Sequence, residues 1–267
     1  ALPIYIPYQG NKEKRCMAGG FYDLTSGMLS QSRRLDVVGN NMTNLSTPGY
    51  KQQQYTDTTF GEVLISRIGN SDKSGNQVIG QSSSMLAPSE MTIDYGQGAL
   101  EETGSNLDFA IQGEGFFAIR TDNGVEYTRN GSFSLDKNGY LYLPGYGRVL
   151  DEDKRPIQLD TDQIRVDSRG GIYGQEDGEY YGKVGVFTFR DNDRLTISES
   201  GLFDAGGQGA READTPVIWK SLESSNVDMI REMSQMMSAQ RALQSAAQVL
   251  KLYDGVLTKA TSELGRM

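Results

Sequence analysis

The chain has 267 residues, and its 35 Asp and Glu outnumber its 26 Lys and Arg, which gives a net charge of −9 at neutral pH. This acidity argues against nucleic acid as a partner, because proteins that bind nucleic acid carry clustered positive charge. The chain has no histidine and one cysteine, Cys16, which excludes a His-based catalytic triad, a His-ligated zinc site and an internal disulfide.

Residues 1–16 are predicted to be an N-terminal extension rather than a signal peptide. The apolar positions around Ile4 come before the basic stretch Lys12–Arg15, whereas a signal peptide has its basic residues first. Met17 is the expected native start. No part of the sequence approaches the ~20 consecutive apolar residues that a membrane-spanning helix needs.

An N-terminal helix is predicted over residues 17–50. Its apolar residues form two rows that repeat every seven positions and lie three residues apart, with Gln31 as the exception. Such rows make a seam along one side of a helix and favour coiled-coil packing. Pro48 and Gly49 end the pattern, because proline cannot continue a helix and glycine permits a tight turn. The seam residues are Phe21, Leu24, Met28, Leu35, Val38, Met42 and Leu45.

Residues 51–106 are mixed and polar, and they are predicted to form an extended linker region. Within them, Gly61–Gly69 has the composition of a short strand or helix. The stretch Ser71–Ser84 is rich in Ser, Gly, Asn and Gln, and it is predicted to be a loop.

A central antiparallel β domain is predicted over residues 107–222, where the apolar period changes from seven to two. A Gly-rich loop is expected at Gly201–Ala213, and a return strand or extended passage at Val217–Leu222. Asn-Gly between alternating segments is a strong hairpin signal. It occurs at Asn123-Gly124, Asn130-Gly131 and Asn138-Gly139.

A C-terminal helix about 50 Å long is predicted over residues 223–267, with Ser224–Asn226 supplying its N-cap. Its two seven-residue rows are interrupted only by Glu232. Arg241 is the only charged residue between positions 233 and 250. A free surface helix usually carries many Lys and Glu, so the outer face is also predicted to be covered. The seam residues are Met229, Met236, Leu243, Leu250, Tyr253 and Leu257.

These elements predict an α+β fold in which the N- and C-terminal heptad helices pair as a coiled coil and the antiparallel β domain is inserted between them. Two interpretations of the helices remain open. In one, they form an ordinary antiparallel hairpin that closes a single globular domain. In the other, they bundle with the helices of other chains.

No residue set indicates catalysis, and no cofactor or metal is predicted. Gly113-Glu114-Gly115 lacks the third glycine and the following helix of a dinucleotide-binding loop. The sequence leaves open a glycosidase-type pair of carboxylates across a cleft, but it singles out no such pair. Three aspartate pairs lack the Gly and Glu of a calcium loop and are interpreted as solvated turn residues. They are Asp151/Asp153, Asp160/Asp162 and Asp191/Asp193.

Three motifs, in this order along the chain, together resemble the bacterial flagellar rod and hook subunits. The first is Asn40–Lys51 (NNMTNLSTPGYK). The second combines Leu107–Phe117 (LDFAIQGEGFF) with Tyr127–Phe133 (YTRNGSF), and the third is Leu222–Asp228 (LESSNVD). The resemblance covers residues 17–267. Its motif residues include Asn40, Asn41, Asn44, Pro48, Gly49, Gly113, Gly115, Phe116, Phe117, Ser225, Asn226 and Val227.

The resemblance implies a structural subunit of the flagellar basal body rather than an enzyme. Subunits of this family stack helically into the rod that transmits torque from motor to hook, with their terminal helices bundled and the β domain facing outward. The implied partners are copies of the chain, other rod or hook subunits, and the flagellar type III export apparatus, which exports these proteins without cleaving a signal. Neither nucleic acid nor a small-molecule substrate is implied.

Within this resemblance, both a proximal and a distal rod position fit the motifs. Asn40, Asn41 and Asn44 are expected to be buried amides that fix the register between neighbouring subunits, and the alternative is that they only end the helix. A different class of function is a secreted, adhesin-like β module closed by a helical hairpin. A peptidoglycan hydrolase is the enzyme alternative, but no further domain is expected after the C-terminal helix to carry it.

Overall fold

The structure is a computed structural model that describes residues 10–59, 62–67, 77–83, 86–122, 124–175, 178–198 and 200–264. Two long helices, α1 (Gly10–Thr43) and α2 (Met229–Leu264), lie near the two ends of the sequence. The chain divides into two compact units. The first takes Ala1–Asn40, Gln54–Thr92 and Ile230–Met267, and the second takes Asn41–Gln53 and Ile93–Met229.

Strands of the first unit follow α1. They are β1 (Gln53–Thr59), β2 (Glu62–Arg67), β3 (Gln77–Ser83) and β4 (Leu86–Ile93). β1 pairs with β4, and β2 pairs antiparallel with β3. Asp57 connects β1 to α1, because it accepts hydrogen bonds from the Ser30 hydroxyl at 2.5 Å and from Arg34 Nη2 at 2.8 Å.

The prediction for the region after α1 was partly wrong. Gly61–Gly69 was predicted to be a short strand or helix, and it contains a strand, β2. The expected loop Ser71–Ser84 contains strand β3, and its positions 71–76 and 84 lie outside the described residues. β3 has no alternating apolar pattern, and it is a strand because its backbone pairs with β2. α1 also begins at Gly10, seven residues before the predicted boundary at Met17.

On both helices, the predicted seam is mostly a partly covered face. Met229 and Leu257, near the ends of the α2 seam, are exposed by 48% and 39%. The side chain of Phe21 is not among those described. Seam residues that are buried or half-buried are Leu24, Met28, Leu35, Val38, Met42, Leu45, Met236, Leu243, Leu250 and Tyr253. Pairing of the two helices as a coiled coil remains a prediction.

The second unit is built from short antiparallel strands, as expected for residues 107–222. Those that form its central sheet are β7 (Phe116–Thr121), β8 (Gly124–Thr128), β9 (Ser134–Leu135), β10 (Leu141–Leu143), β11 (Gly147–Val149), β15 (Val186–Thr188), β16 (Thr196–Ile197), β17 (Phe203–Asp204) and β18 (Arg211–Glu212). The main path of this sheet is β16-β17-β8-β7-β11-β10-β9, and β15 pairs with both β7 and β18.

Smaller sheets complete this unit. They use β5 (Leu100–Glu102), β6 (Phe109–Ile111), β12 (Ile164–Val166), β13 (Gly171–Gly174), β14 (Tyr180–Lys183), β19 (Val217–Trp219) and β20 (Ser221–Glu223). β12, β13 and β14 form one sheet, β6 pairs with β19, and β5 pairs with β20. The return strand predicted at Val217–Leu222 is therefore confirmed, although it is divided at Lys220, which has a positive φ of 57°.

Strand β7 lies between the two apolar clusters of this unit. Phe117 and Ile119 belong to one cluster and Phe116 and Ala118 to the other, because successive side chains of a strand point to opposite faces. All four are buried. The alternation read from the sequence is thus real, and both faces of the central sheet are covered.

Two of the three predicted Asn-Gly hairpins are confirmed. β7 and β8 pair on the two sides of the first turn, whose Asn123 lies outside the described residues, and the turn at Asn138-Gly139 joins β9 to β10. The hairpin expected at Asn130-Gly131 is wrong, since β8 and β9 pair with other strands. Gly131 instead brings the backbone against Phe109: a Cβ there would lie 1.8 Å from the Phe109 carbonyl oxygen. The loop expected at Gly201–Ala213 is also partly wrong, because it contains β17 and β18.

Candidate functional site: a buried polar cluster

The paired aspartates that the sequence analysis considered as calcium ligands lie in turns. Asp151 Oδ1 accepts a hydrogen bond from the Arg155 backbone N–H at 2.7 Å, and Asp191 Oδ1 accepts one from the Asp193 N–H at 3.2 Å. Among the described residues, no group of three or more His, Cys, Asp or Glu is placed to hold a metal ion. None of the helices in the described part of the chain is long and apolar enough to span a membrane.

The most deeply buried charged group of the second unit is the carboxylate of Glu223, at the end of β20. Its Oε1 accepts hydrogen bonds from Lys51 Nζ at 2.5 Å and from the Gly98 N–H at 2.9 Å, and its Oε2 accepts one from Arg129 Nη1 at 3.1 Å. Lys51 Nζ also donates to the Gly96 carbonyl at 2.7 Å. The side chains of Glu223 and Lys51 are fully buried, and that of Arg129 is 4% exposed.

Asn226 makes a second set of bonds between the same chain segments. Its Oδ1 accepts from the Gln52 N–H at 2.7 Å, and its Nδ2 donates to the carbonyls of Asp94 and Gly96 at 2.8 and 3.0 Å. The expectation that Asn226 caps α2 is therefore wrong, because its side-chain amide forms hydrogen bonds with residues that are distant in the sequence. Ser225 accepts a local bond from the Val227 N–H at 3.4 Å.

Asn41, near the end of α1, fixes the chain that follows the helix. The residue is 1% exposed. Its Nδ2 donates to the Gln53 carbonyl at 2.8 Å, while its Oδ1 accepts from the Gln53 N–H at 3.0 Å and from the Tyr50 hydroxyl at 3.2 Å. Asn41 is thus a buried amide, but these partners lie within its own chain. Asn40 is exposed and Asn44 is half-buried, and their proposed role between subunits remains a prediction.

Gly49 allows the motif after α1 to reach this cluster. Its N–H donates to the Glu223 carbonyl at 2.7 Å. Its φ is +69°, and a Cβ there would lie 2.3 Å from the carbonyl carbon of Arg129. Only glycine adopts this conformation without strain and leaves room for that backbone. We call Asn41, Gly49, Lys51, Arg129, Glu223 and Asn226 together the polar clasp.

Burial dominates the electrostatics of the polar clasp. It lowers the pKa of Lys51, and the hydrogen bond and the charge of Glu223 oppose this shift. It also lowers the pKa of Arg129, again against the charge of Glu223. Two cations thus share one carboxylate in a region shielded from water, where an unpaired charge is costly.

The polar clasp joins all three predicted motifs. Gly49 and Lys51 come from the first, Arg129 comes from the second, and Glu223 comes from the third. Sequence analysis selected Gly49 but not the three charged residues, which are ordinary surface types when read one at a time. Their position inside the motifs was the only available signal.

The remaining motif residues support the surroundings of the clasp. Phe116 and Phe117 are buried on β7, directly after Gly113 and Gly115, and Val227 is 8% exposed just before α2. Pro48 is half-buried. Asn41, at the end of α1, is the helix residue that we assign to the clasp.

The long C-terminal helix also carries apolar side chains away from its seam. Ile230 is 81% exposed, Leu252 70% and Val256 65%. Met233, Met237 and Val249 are also exposed. These six residues, which we call the α2 outer stripe, were not among the predicted interface residues.

Comparisons with known proteins match the three parts of the chain separately. A family model described as "Flagella basal body rod protein" matches residues 21–51, "Flagellar hook protein FlgE/F/G D1 domain" matches residues 110–201, and "Flagellar basal body rod FlgEFG protein C-terminal" matches residues 220–263. None of these three models describes an enzyme.

Whole-length relatives carry similar names. The chain is 32% identical to "Flagellar basal-body rod protein FlgG" of Bacillus subtilis, over 90% of this chain and 97% of that protein. It is 31% identical to "Flagellar basal-body rod protein FlgF" of Rhizobium meliloti, over 93% and 99%. It is also 28% identical to "Flagellar hook-basal body complex protein FlhO" of Bacillus subtilis, over 94% and 100%.

Proposed function

We propose that this chain, which belongs to the family of flagellar basal-body rod proteins, assembles helically through its terminal helices and transmits torque from the motor to the hook. The chain is a structural subunit of the rod. Its partners in the proposal are copies of itself and other rod or hook subunits. The adhesin-like and hydrolase alternatives lose their support, because the relatives that span nine-tenths of this chain are named as rod proteins.

The observation that carries the assembly proposal is the α2 outer stripe. Fully burying a side chain such as Leu or Met contributes about 1.5–3 kcal/mol relative to leaving it exposed, and all six side chains of the stripe are exposed. The helix has 36 residues, so it is about 54 Å long. A helix with apolar residues on more than one face is typical of one that is covered on several sides.

Two faces of α2 therefore have separate roles in the proposal. The seam, with Met236, Leu243 and Leu250, packs as a coiled coil, and the α2 outer stripe contacts the helices of neighbouring subunits. The scarcity of charge supports this arrangement, because Arg241 is the only charged residue between positions 233 and 250. Charged side chains would otherwise have to be desolvated in the bundle.

The polar clasp supplies the rigidity that torque transmission needs. It ties the chain that leaves α1 at Asn41 to the chain that enters α2 after Asn226, through hydrogen bonds between side chains that are mostly buried. Force that enters one terminal segment would then pass to the other through short, charge-assisted hydrogen bonds.

Export through the flagellar type III apparatus, without a cleaved signal, is part of the same proposal and rests on the family. The single cysteine is compatible with it, since no internal disulfide can hold the chain folded during passage. The final location in the proposal is the basal body.

The test is to place a charge on the α2 outer stripe with Leu252→Asp. Leu252 is 70% exposed, so the free subunit should unfold at the same urea concentration as wild type. Cells that produce this variant in place of the native chain should be non-motile, because the carboxylate would be buried between subunits. Export is measured separately, as the amount of chain outside the cytoplasm.

The matched control is Lys251→Asp. Lys251 is exposed on the same helix and already carries a charge, and it lies about 100° around the helix from Leu252. Cells with the control should swim. Motile cells with Leu252→Asp would refute the role of the stripe, whereas non-motile cells with both variants would show that any change of charge on α2 is harmful.

A further inference from the structure

Two methionines of the α2 outer stripe, Met233 and Met237, lie one helical turn apart. They are exposed by 43% and 52%. A shift of four residues corresponds to about 6 Å along a helix and about 40° around it, so the two side chains are neighbours on one face. Met236, which lies between them in the sequence, belongs to the seam and is half-buried. The exposed pair therefore presents two thioether side chains to solvent.

A thioether differs in its chemistry from the other apolar groups of the stripe. The flexible, polarizable Met side chain adapts to irregular surfaces, but peroxide converts it to methionine sulfoxide. In that reaction the sulfur attacks one oxygen of hydrogen peroxide, and the S–O bond forms as the O–O bond breaks. The second oxygen takes up the proton of the first and leaves as water, so sulfur is oxidised and peroxide is reduced. The aliphatic members of the stripe do not react in this way.

Oxidation would make one end of the α2 outer stripe polar. A sulfoxide disrupts Met-rich interfaces, because a polar oxygen that is buried without a hydrogen-bond partner is costly. Arg241 is the only charged residue of α2 between positions 233 and 250, so neighbouring copies of this helix offer few charged donors to the new oxygens. The free subunit tolerates the change, since its sulfoxides face water. A subunit whose stripe is covered does not.

We propose that Met233 and Met237 are a modification site at which oxidation by peroxide blocks the assembly of the subunit. In the free subunit both side chains are open to the oxidant, and their sulfoxides keep the α2 outer stripe from packing against neighbouring copies. In the rod, the same copies cover the pair and protect it. The restoring reaction is reduction by an enzyme of the methionine sulfoxide reductase class. This inference rests on the proposed assembly through the stripe.

The first measurement is the rate at which each methionine of the purified subunit gains an oxygen in hydrogen peroxide, read by mass spectrometry of its peptides. Met91 on β4 is exposed by 56% and is the reference for an open side chain, while half-buried Met236 is the reference for a covered one. We expect Met233 and Met237 to react about as fast as Met91 and faster than Met236. Rates as slow as that of Met236 would overturn the proposal.

The second measurement compares the double variant Met233→Leu with Met237→Leu against the control Met91→Leu. Leucine has a similar volume and does not react with peroxide. Without peroxide, both variants should be recovered in isolated basal bodies in the amount of wild type. When cells are treated with peroxide while they produce the chain, recovery of wild type and of Met91→Leu should fall about tenfold, and the double variant should keep its recovery.

Equal losses of the double variant and of Met91→Leu in treated cells would overturn the modification site. The two variants receive the same dose, so damage to other proteins of the cell affects both alike. The Leu252→Asp test uses no peroxide. A failure of the proposed function there is therefore distinguishable from a failure of this inference.

Discussion

Glu223 provides the sharpest test of the polar clasp. Replacement by Gln keeps the shape of the side chain and removes the charge that Lys51 and Arg129 share. Both cations would then remain buried, with side-chain exposures of 0% and 4%. Removing one partner of a buried ion pair costs about 3–5 kcal/mol. Since the free energy of unfolding of a domain is about 5–15 kcal/mol in total, this loss should be a large fraction of the stability of the second unit.

The assay is urea unfolding followed by the fluorescence of Trp219, the single tryptophan of the chain. Trp219 is a suitable probe because it lies on β19 and its indole N–H donates to the Asn106 carbonyl at 2.7 Å. We expect a lower unfolding midpoint for Glu223→Gln with an unchanged slope, which indicates lost stability rather than a different unfolding reaction.

Glu152→Gln is the matched control. The carboxylate of Glu152 is 42% exposed and is one of two that bind Lys183, at 3.1 Å. Ion pairs at the surface contribute about 0–1 kcal/mol, so this variant should unfold close to wild type. If Glu223→Gln also stayed within about 1 kcal/mol of wild type, the clasp would not hold the two terminal segments together.

Two further predictions concern a glycine and a tyrosine. In the same urea assay, Gly49→Ala should lower the free energy of unfolding by about 1–3 kcal/mol more than Gly104→Ala does. Both glycines have positive φ, but only a Cβ at Gly49 meets backbone atoms. Equal losses in the two variants would contradict the close packing at Gly49. Burial raises the pKa of Tyr95 to about 12 from its usual value of 10.0, so the fold favours the protonated phenol and loses stability as the pH rises from 10 toward 12. The urea midpoint of Tyr95→Phe should equal that of wild type at pH 8 and be higher than that of wild type at pH 11. Equal midpoints of the two proteins at both pH values would refute this.

The elements predicted well were those whose local pattern agrees with their final contacts. Phe117 and Ile119 alternate with Phe116 and Ala118, and the two sets enter opposite apolar clusters. Asn138-Gly139 forms the turn of a local hairpin whose two strands, β9 and β10, pair directly. In each of these cases, residues within about ten positions of each other determine the structure.

Prediction failed where distant contacts decide the structure. Asn130-Gly131 has the composition of a hairpin turn, but its glycine is required by the approach of Phe109, more than twenty positions earlier. Strand β3 pairs along its length with β2 and has no alternation to reveal it. A local pattern carries no information about such approaches, so a turn signal was read as a hairpin and a polar strand as a loop.

The polar clasp is the extreme case of this limit. Lys51 and Glu223 are 172 positions apart, and Arg129 is 94 positions from Glu223. The motif resemblance placed all three residues in recognised segments, yet only the fold shows that these segments meet. The seam on each helix was visible because it repeats, whereas a single buried charge has no period by which to be found.

The buried ion pairs of the clasp suit a chain whose two terminal segments must lie in one register relative to each other. Buried ion pairs contribute little net stability compared with apolar residues of similar size, and their best-attested role is to fix one arrangement among several. An apolar contact would accept many registers of the two terminal segments, whereas Glu223 requires Lys51, Arg129 and the Gly98 N–H in fixed directions. Any shift of either segment leaves a charge buried without a partner. The bonds of Glu223 therefore favour one register of the chain segment that follows α1 against the segment that precedes α2.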